Sequence, residues 1–181
     1  EEEDDAGVGH PDLAKWFTEE EVAKLRQAWS LQALHSHPDQ TLVDKAFGGG
    51  ESVTRKSFCT LKDNVWLNDE VVNLYMRIMG AKNKLALAAA GEGRRPRPPV
   101  CHVMTSFFYT ALSDNYTGYL YQRVRRFTKR AKVDVFKLDK LLIPINAGQN
   151  HWTVAVANLR MRRLEYYDSL LPARHGPTVL E

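Results

Sequence analysis

The sequence predicts an α+β fold in which helices come first and strands follow. Two helix-start signals occur within the first 70 residues, whereas short β-rich runs appear only after Lys132. Helices followed by separate strands are typical of α+β proteins, while alternating strands and helices would indicate a doubly wound sheet. A length of 181 residues is compatible with one domain.

The first helix is predicted to begin after Thr18. Threonine is a favoured N-cap residue, and Glu21 stands three positions later, as in a capping box. Apolar residues then recur at helical spacing at Val22, Leu25 and Trp29. Residues 1–15 are acidic, contain Gly and Pro, and show no periodicity, so we expect a disordered tail before a domain over residues 16–181.

A second helix is predicted to begin after Asn68. Asparagine is a strong N-cap, and Asp69 and Glu70 place negative charge at the positive end of the helix dipole. Gly80 predicts the end of this helix. Its expected buried stripe consists of Val72, Tyr75, Met76 and Met79.

The remaining segments before Lys132 are predicted from composition. Residues 36–57 show no clear period and are expected to be irregular. Residues 81–99 end in a Pro- and Arg-rich run and are expected to form an insertion loop, whose Ala-rich centre can add one helical turn. A third helix is expected after Thr105 or Ser106, either of which can cap it.

Four β-rich runs follow Lys132, and the last two can form an antiparallel hairpin. The runs cover residues 133–136, 141–145, 153–157 and 164–167. With a turn at residues 159–160, His151 lies opposite Asp168 and Thr153 lies opposite Tyr166, each pair on one face. A carboxylate in that position would fix the tautomer of the imidazole and stabilise its protonated form.

The register of this hairpin stays open at the level of sequence. Residues 159–160 lack the Gly or Asn of tight turns, and a slip by one residue would send one partner to the other face. Without further context, a His/Asp pair at strand ends is more often structural than catalytic. The pair also supplies an acid/base unit without a nucleophile.

Cysteine and histidine usage excludes several kinds of site. Cys59 and Cys101 are too few for a disulfide scaffold and fit a reducing compartment. Neither has sequence neighbours that mark a nucleophile, and their spacing to the histidines matches no zinc site, so we expect no metal and no cofactor. No apolar run approaches the roughly 18 residues of a membrane helix.

Basic residues concentrate in one stretch of the chain. The formal net charge is +3, and residues 1–5 contribute five negative charges. Residues 94–132 hold nine Arg or Lys against one acid, Asp114. Such a stretch can be a solvated surface, a contact for an acidic protein, or a nucleic-acid site. Nucleic acid is the least favoured of these, because Phe127 is the only base-stacking aromatic interleaved with the cations of residues 123–132.

Five motifs, in order along residues 17–181, resemble the ubiquitin-like-protein proteases, the Ulp/SENP family of SUMO peptidases. The first motif, with the sequence W-L-N-D-E-V-V-N-L-Y, begins at Trp66. The other four are Ser106-Phe107-Phe108-Tyr109, Val124-Arg125-Arg126-Phe127-Thr128-Lys129, Leu142-Ile143-Pro144-Ile145, and His151-Trp152 followed by Tyr166-Tyr167-Asp168-Ser169.

The resemblance implies a papain-like cysteine peptidase fold, with N-terminal helices followed by a mainly antiparallel sheet. It implies that His151 is the general base and Asp168 its orienting carboxylate. Trp66 and Trp152 resemble the aromatic pair that covers the Gly-Gly tail of the substrate, and Asp69 resembles a position that contacts the substrate's body. The implied partner is SUMO or another ubiquitin-like protein.

The sequence also departs from the family pattern. The family's oxyanion-hole Gln and its nucleophilic Cys, within a D-C-G motif, follow the aspartate, and this sequence ends at Glu181 before either. We therefore expect a domain that is incomplete at its C-terminus and inactive in this form, with a non-catalytic binding module as the alternative. Phe127 stands where the family usually has Trp. A nuclear, monomeric protein is the family expectation.

Overall fold

The computed structural model describes residues 17–44, 52–90, 96–114 and 118–170, so the expected tail at residues 1–15 lies outside them. The described chain is α+β, as predicted. The helices are α1 (Glu19–Trp29), α2 (Leu31–Ser36), α3 (Arg55–Phe58), α4 (Asp69–Ala90), α5 (Phe107–Leu112) and α6 (Tyr121–Ala131). The strands are β1 (Thr41–Val43), β2 (Val53–Thr54), β3 (Cys101–Val103), β4 (Ser113–Asp114), β5 (Gly118–Tyr119), β6 (Lys140–Ala147), β7 (His151–Asn158) and β8 (Arg163–Tyr167).

The predicted capping box opens α1. Glu21 donates its backbone N–H to Oγ1 of Thr18, while the Glu21 carboxylate accepts the backbone N–H of Thr18 at 2.8 Å. At the other end of α1, the buried guanidinium of Arg55 donates to the carbonyls of Gln27 and Ala28 at 3.1 and 3.0 Å. A cation at a helix C-terminus offsets the helix dipole, so Arg55 fixes α3 against α1.

The expectation of an irregular segment at 36–57 is wrong for its described part. β1 and β2 pair in antiparallel fashion, with Thr41 opposite Thr54. Thr54 then caps α3, because its side chain accepts the backbone N–H of Ser57 at 3.2 Å. These elements are two to four residues long, and so they are too short to produce a recognisable hydrophobic period.

Helix α4 begins as predicted but runs ten residues further than predicted. Oδ1 of Asn68 accepts the backbone N–H of Val71 at 3.2 Å, which makes Asn68 the N-cap. Gly80 lies inside the helix, and the predicted insertion loop at 81–99 is helical as far as Ala90. A mid-helix glycine costs only about 1 kcal/mol, which the Ala- and Leu-rich segment after it can offset. No helix in the described ranges is long and apolar enough to cross a bilayer.

The buried face of α4 differs from the predicted stripe. Val71, Asn73 and Met76 are buried, whereas Tyr75 is 61% exposed. Asn73 donates from Nδ2 to Oγ of Ser106 at 3.1 Å and accepts the Ser106 backbone N–H at 2.8 Å. These bonds occupy Ser106, which precedes α5 without capping it. A buried polar pair therefore joins α4 to the start of α5.

A four-stranded sheet in the order β3-β6-β7-β8 follows. Strand β3 is parallel to β6, and the other neighbours are antiparallel. Helices α5 and α6 contribute to a core that packs on this sheet, with Met104, Phe108, Val124 and Leu141 at its centre. The predicted strand at 133–136 is wrong, because Asp134 accepts the backbone N–H of Phe136 and starts a short 3-10 turn.

Candidate active site

The β7–β8 hairpin brings the predicted His/Asp pair together, although its register differs from the predicted one by two residues. Val154 pairs with Tyr167 and Ala155 pairs with Tyr166, whereas the predicted register places Thr153 opposite Tyr166. A shift by two residues keeps every side chain on its predicted face, because the faces of a strand alternate with a period of two. The imidazole and the carboxylate are therefore diagonal neighbours, which longer side chains can bridge.

The turn of the hairpin explains the shift in register. Asn158 pairs with Arg163, so the connection has four residues rather than two. A two-residue turn would need positive φ angles that Leu and Arg disfavour. In the observed connection Arg162 takes a positive φ of 51°, and Oδ1 of Asn158 accepts the backbone N–H of Met161 at 3.1 Å.

The pair itself is short and well shielded. Nε2 of His151 lies 2.5 Å from Oδ1 of Asp168, and the two side chains are 11% and 2% exposed. The same Oδ1 accepts the backbone N–H of Leu170 at 2.9 Å. A carboxylate facing Nε2 favours the tautomer with its proton on Nε2, which leaves the Nδ1 lone pair available to accept another proton.

The two predicted tryptophans lie on segments that are hydrogen-bonded to each other. Nε1 of Trp152 donates to the backbone carbonyl of Leu67 at 2.7 Å. Trp66, next in the chain to Leu67, is 67% exposed. An indole so exposed adds little to the core, and Leu67 ties its segment to the residue that follows the histidine of the pair.

The predicted contact residue Asp69 follows Trp66 by three positions in the chain. It is the first residue of α4 and is half-buried, where its charge suits the positive end of the helix dipole. The neighbouring Asn68 donates from Nδ2 to Oγ of Ser57 at 2.7 Å. The loop that carries Trp66 is therefore held on one side by β7 and on the other by α3.

Cys101 is not placed to act with the imidazole of His151. Cys101 pairs with Lys140 at one end of β6, while His151 pairs with Ala147 at the other end. Seven residue steps along a strand separate these two ends by about 23 Å. Burial raises the pKa of the Cys101 thiol, so it is a poor thiolate as well as a distant one.

Cys59 is buried elsewhere and acts as a core residue. Its Sγ lies 3.9 Å from the backbone carbonyl of Ala28, as a weak donor in the packing between α1 and the 3-10 turn Cys59–Leu61. No group of three or more His, Cys, Asp or Glu side chains within the described ranges could hold a metal ion.

Two contributors to the site carry no signal in the sequence. Leu67 acts through its backbone carbonyl, which any residue could provide. Ser57 acts through a hydroxyl that is 11 positions away from its partner, Asn68. The arrangement as a whole presents a proton acceptor on an oriented imidazole beside an exposed aromatic surface, which is suited to activating a nucleophile that attacks a narrow, extended substrate.

Comparison with known proteins gives one consistent result. A family model described as the Ulp1 protease family, C-terminal catalytic domain, matches residues 65–175. Ubiquitin-like-specific protease 1A of Arabidopsis thaliana is 34% identical over 169 residues, covering 85% of this chain and 32% of that protein. Human Sentrin-specific protease 2 is 36% identical over 138 residues, covering 76% of this chain and 20% of that protein. The chain thus spans about a third or less of these relatives.

Solved structures with the same fold belong to the same group of proteins. The C-terminal Ulp1 protease domain, determined in complex with Smt3, the yeast ortholog of SUMO, superimposes with a TM-score of 0.63 at 27% identity. The match covers 90% of this chain and 61% of that one. A structure of the SUMO protease Ulp1 with its catalytic cysteine oxidised to a sulfinic acid gives the same TM-score at 26% identity. This likeness confirms the predicted papain-like fold.

Proposed function

Because the chain belongs to the Ulp1 protease family, we propose that it provides the histidine and aspartate of a cysteine peptidase that cleaves after the Gly-Gly tail of a ubiquitin-like protein. The observation that carries this proposal is the shielded 2.5 Å contact between His151 and Asp168 at the edge of the sheet. The relatives, which are named as proteases specific for ubiquitin-like proteins, support the substrate class.

The proposed reaction begins with proton transfer to His151. Its Nδ1 takes the proton of a cysteine thiol, while Asp168 holds Nε2 and stabilises the imidazolium that forms. The thiolate attacks the carbonyl carbon of the terminal glycine, and the imidazolium returns its proton to the departing amine. The resulting thioester is hydrolysed by water, which restores the thiol and releases the carboxylate of the ubiquitin-like protein.

The proposed recognition of the tail depends on the two indoles. A glycine pair has no Cβ, so it fits a narrow passage between flat aromatic surfaces that larger residues cannot enter. Trp152 is fixed by its bond to Leu67, and Trp66 presents its exposed ring at the same loop. We assign to Asp69, at the start of α4, a contact with a cationic group on the body of the substrate.

We assign the attacking thiol neither to Cys101, which lies at the opposite end of β6 from His151, nor to Cys59, which is buried with its Sγ against the carbonyl of Ala28. We propose that the natural protein supplies the thiol, and the amides that hold the oxyanion, from polypeptide that follows Glu181. Residues 16–181 then form one incomplete catalytic domain.

A covalent trap tests the proposal in the natural full-length protein. A ubiquitin-like protein carrying a thiol-reactive electrophile after Gly-Gly should form a stable adduct. His151→Ala should slow adduct formation in a protein that circular dichroism shows to be folded, although the buried Asp168 carboxylate loses a partner and the melting temperature falls. Failure of the full-length protein to react would overturn the proposal. Binding of the ubiquitin-like protein without adduct formation would instead identify the chain as a non-catalytic binding module.

The proposal extends to where and how the protein acts. We propose that the protein is a monomer and acts in the nucleus, as the family resemblance implies. Light scattering at micromolar concentration should give the monomer mass, and a fluorescent fusion of the full-length protein should accumulate in nuclei. A stable dimer or exclusion from nuclei would contradict this part alone and leave the peptidase proposal standing.

A further inference from the structure

Helix α6 presents a broad basic face to solvent. Its inward side is formed by buried Val124 and half-buried Phe127, and Phe127 packs edge-on against Phe108 with ring centroids 5.4 Å apart. The side chains on the opposite side are all exposed, and four of them are cations, Arg125, Arg126, Lys129 and Arg130. The residues from 118 to 133 include no acid at all.

The fold of the helix does not require this charge. Arg126 has Lys129 and Arg130 three and four positions ahead, where like charges lie side by side and repel. Within the described ranges none of these cations forms a salt bridge that would relieve the repulsion. The first turn of α6 contains no acid to suit the helix dipole, and of the four cations only Lys129 and Arg130, in the last turn, are placed to offset it. The helix thus tolerates unfavourable electrostatics on a solvent-facing side.

The chemistry of the face suits an extended anion such as a phosphate backbone. Three of the four cations are arginines, whose planar guanidinium groups pair in bidentate fashion with phosphate as with carboxylate oxygens. Protein interfaces centre on buried apolar or aromatic anchors, whereas Val124 and Phe127 belong to the inward side of this helix and its exposed aromatic, Tyr121, stands at the first helical position. An 11-residue helix is about 16 Å long, which is the length of about four or five phosphates along one strand of a duplex.

We propose that the basic face of α6 binds the phosphate backbone of nucleic acid without regard to base sequence. From the sequence alone this partner is the least favoured, because Phe127 is the only aromatic interleaved with the cations of residues 123–132. In the structure Phe127 belongs to the core, so the proposed binding needs no stacking and uses phosphate contacts alone. The site is separate from His151 and Asp168 and does not depend on the peptidase proposal.

Binding of a fluorescent duplex of about 20 base pairs to the full chain tests this inference by anisotropy. With four phosphate contacts, affinity should fall about 100-fold between about 50 and 200 mM salt. The variant R125Q/R126Q/R130Q should bind at least about 10-fold more weakly at low salt, with a slope of log affinity against log salt reduced by about 2.7. The variant R125K/R126K/R130K should retain the slope.

A matched control separates the face from net charge. Arg26, Lys56 and Lys82 are exposed cations on α1, α3 and α4, so R26Q/K56Q/K82Q removes the same charge from other surfaces. This control should retain the wild-type slope. Equal weakening by both triple variants, or wild-type binding without salt dependence, would overturn the proposal. Competition by polyglutamate as effective as competition by unlabelled duplex would assign the face to acidic proteins instead. Circular dichroism checks that each variant is folded.

Discussion

The two sides of the candidate site are built in opposite ways. The side chains of His151 and Asp168 are almost fully buried. The two residues belong to one hairpin and are 17 positions apart in the chain. Trp66 is largely exposed, and its loop is held in place by Trp152, which lies 85 positions from Leu67. The proposed proton-transfer groups are thus local and shielded, while the proposed recognition surface is exposed and assembled over long range.

Because of this contrast, the two sides should respond differently to substitutions. A shielded imidazole keeps one tautomer because water cannot compete for its partner oxygen, so its chemistry depends on two side chains. The loop of an exposed indole is held by hydrogen bonds at its base, so the proposed function of Trp66 depends on residues distant in sequence, such as Trp152 and Ser57. Substitutions on the two sides should therefore change different kinetic quantities.

The largest expected effect tests the shielded side. In the full-length protein, Asp168→Ala should lower the single-turnover rate by about 10²- to 10⁴-fold, because the imidazole loses the group that fixes its tautomer. Asp168→Asn keeps an oxygen that can accept from Nε2 and should recover part of the rate. The matched control is Asp139→Ala, which removes a carboxylate bonded to the backbone N–H of Val100 at the other end of the sheet. A rate loss in that control as large as in Asp168→Ala would refute the assignment.

The next effect tests the exposed side. Trp66→Ala should raise the KM for a Gly-Gly substrate by about 10- to 100-fold, since a large aromatic contact worth about 1.5 to 3 kcal/mol is lost. The melting temperature should hardly change, because the ring is mostly in solvent already. Phe136→Ala provides the control. This ring is 92% exposed, and it lies just before the first residue of β6, at the end of the strand that is far from His151. An equal KM change in both variants would contradict the predicted role.

A smaller effect concerns the long-range support. Trp152→Phe removes the donor to Leu67 and should cost about 1 kcal/mol of folding free energy together with a KM increase of about 5-fold. Trp29→Phe removes the equivalent indole donor to the Phe58 carbonyl in the helical region. That control should lower stability and leave KM unchanged. Denaturant unfolding and initial-rate kinetics measure the two quantities, and unchanged KM in Trp152→Phe would refute the supporting role.

The smallest effect appears only in acid. Hydrogen bonds from Asn158, Arg163 and Tyr167 lower the pKa of Glu165 from its ordinary 4.5 to about 2. Because its folded pKa lies below the unfolded one, its stabilisation is fully present above pH 4.5 and is lost as the pH falls towards 2. The melting temperature of Glu165→Gln should therefore depend less steeply on pH across that window.

The control for this acid effect is a carboxylate in the helical region. Glu20→Gln removes an exposed group that pairs with Lys24 within α1, where solvent screens the charge. It should leave the dependence of melting temperature on pH nearly as in the wild type. If Glu20→Gln reduces the pH dependence of the melting temperature in acid as much as Glu165→Gln does, the predicted stabilisation by the hydrogen bonds of Glu165 is refuted.

The parts of the site that follow from local chemistry can be predicted from sequence. Asn68 is recognisable as an N-cap because its side chain acts within three residues. The shared face of His151 and Asp168 follows from strand alternation, and an error of two residues in the register does not change it. The role that the family resemblance implies for each of these residues stays a prediction.

The parts that cannot be predicted depend on tertiary context. Gly80 predicts a helix end if the free-energy cost of a mid-helix glycine is the only term considered. In the structure α4 continues past Gly80 and packs along β3, where the glycine faces Val103. The apolar pattern correctly places Met76 inside but also places Tyr75 and Met79 there, which are 61% and 42% exposed, and no such pattern can reveal the buried Asn73–Ser106 pair. The carbonyl of Leu67 has no sequence signature.

One carboxylate oxygen in this fold accepts two hydrogen bonds, since Oδ1 of Asp168 binds both Nε2 of His151 and the backbone N–H of Leu170. The path by which the polypeptide departs from the sheet is thereby coupled to the orientation of the imidazole. Whatever displaces Leu170, whether a neighbouring segment or a bound molecule, also alters the hydrogen bonding of the base. Catalytic competence in such a hairpin is sensitive to events just past its final strand.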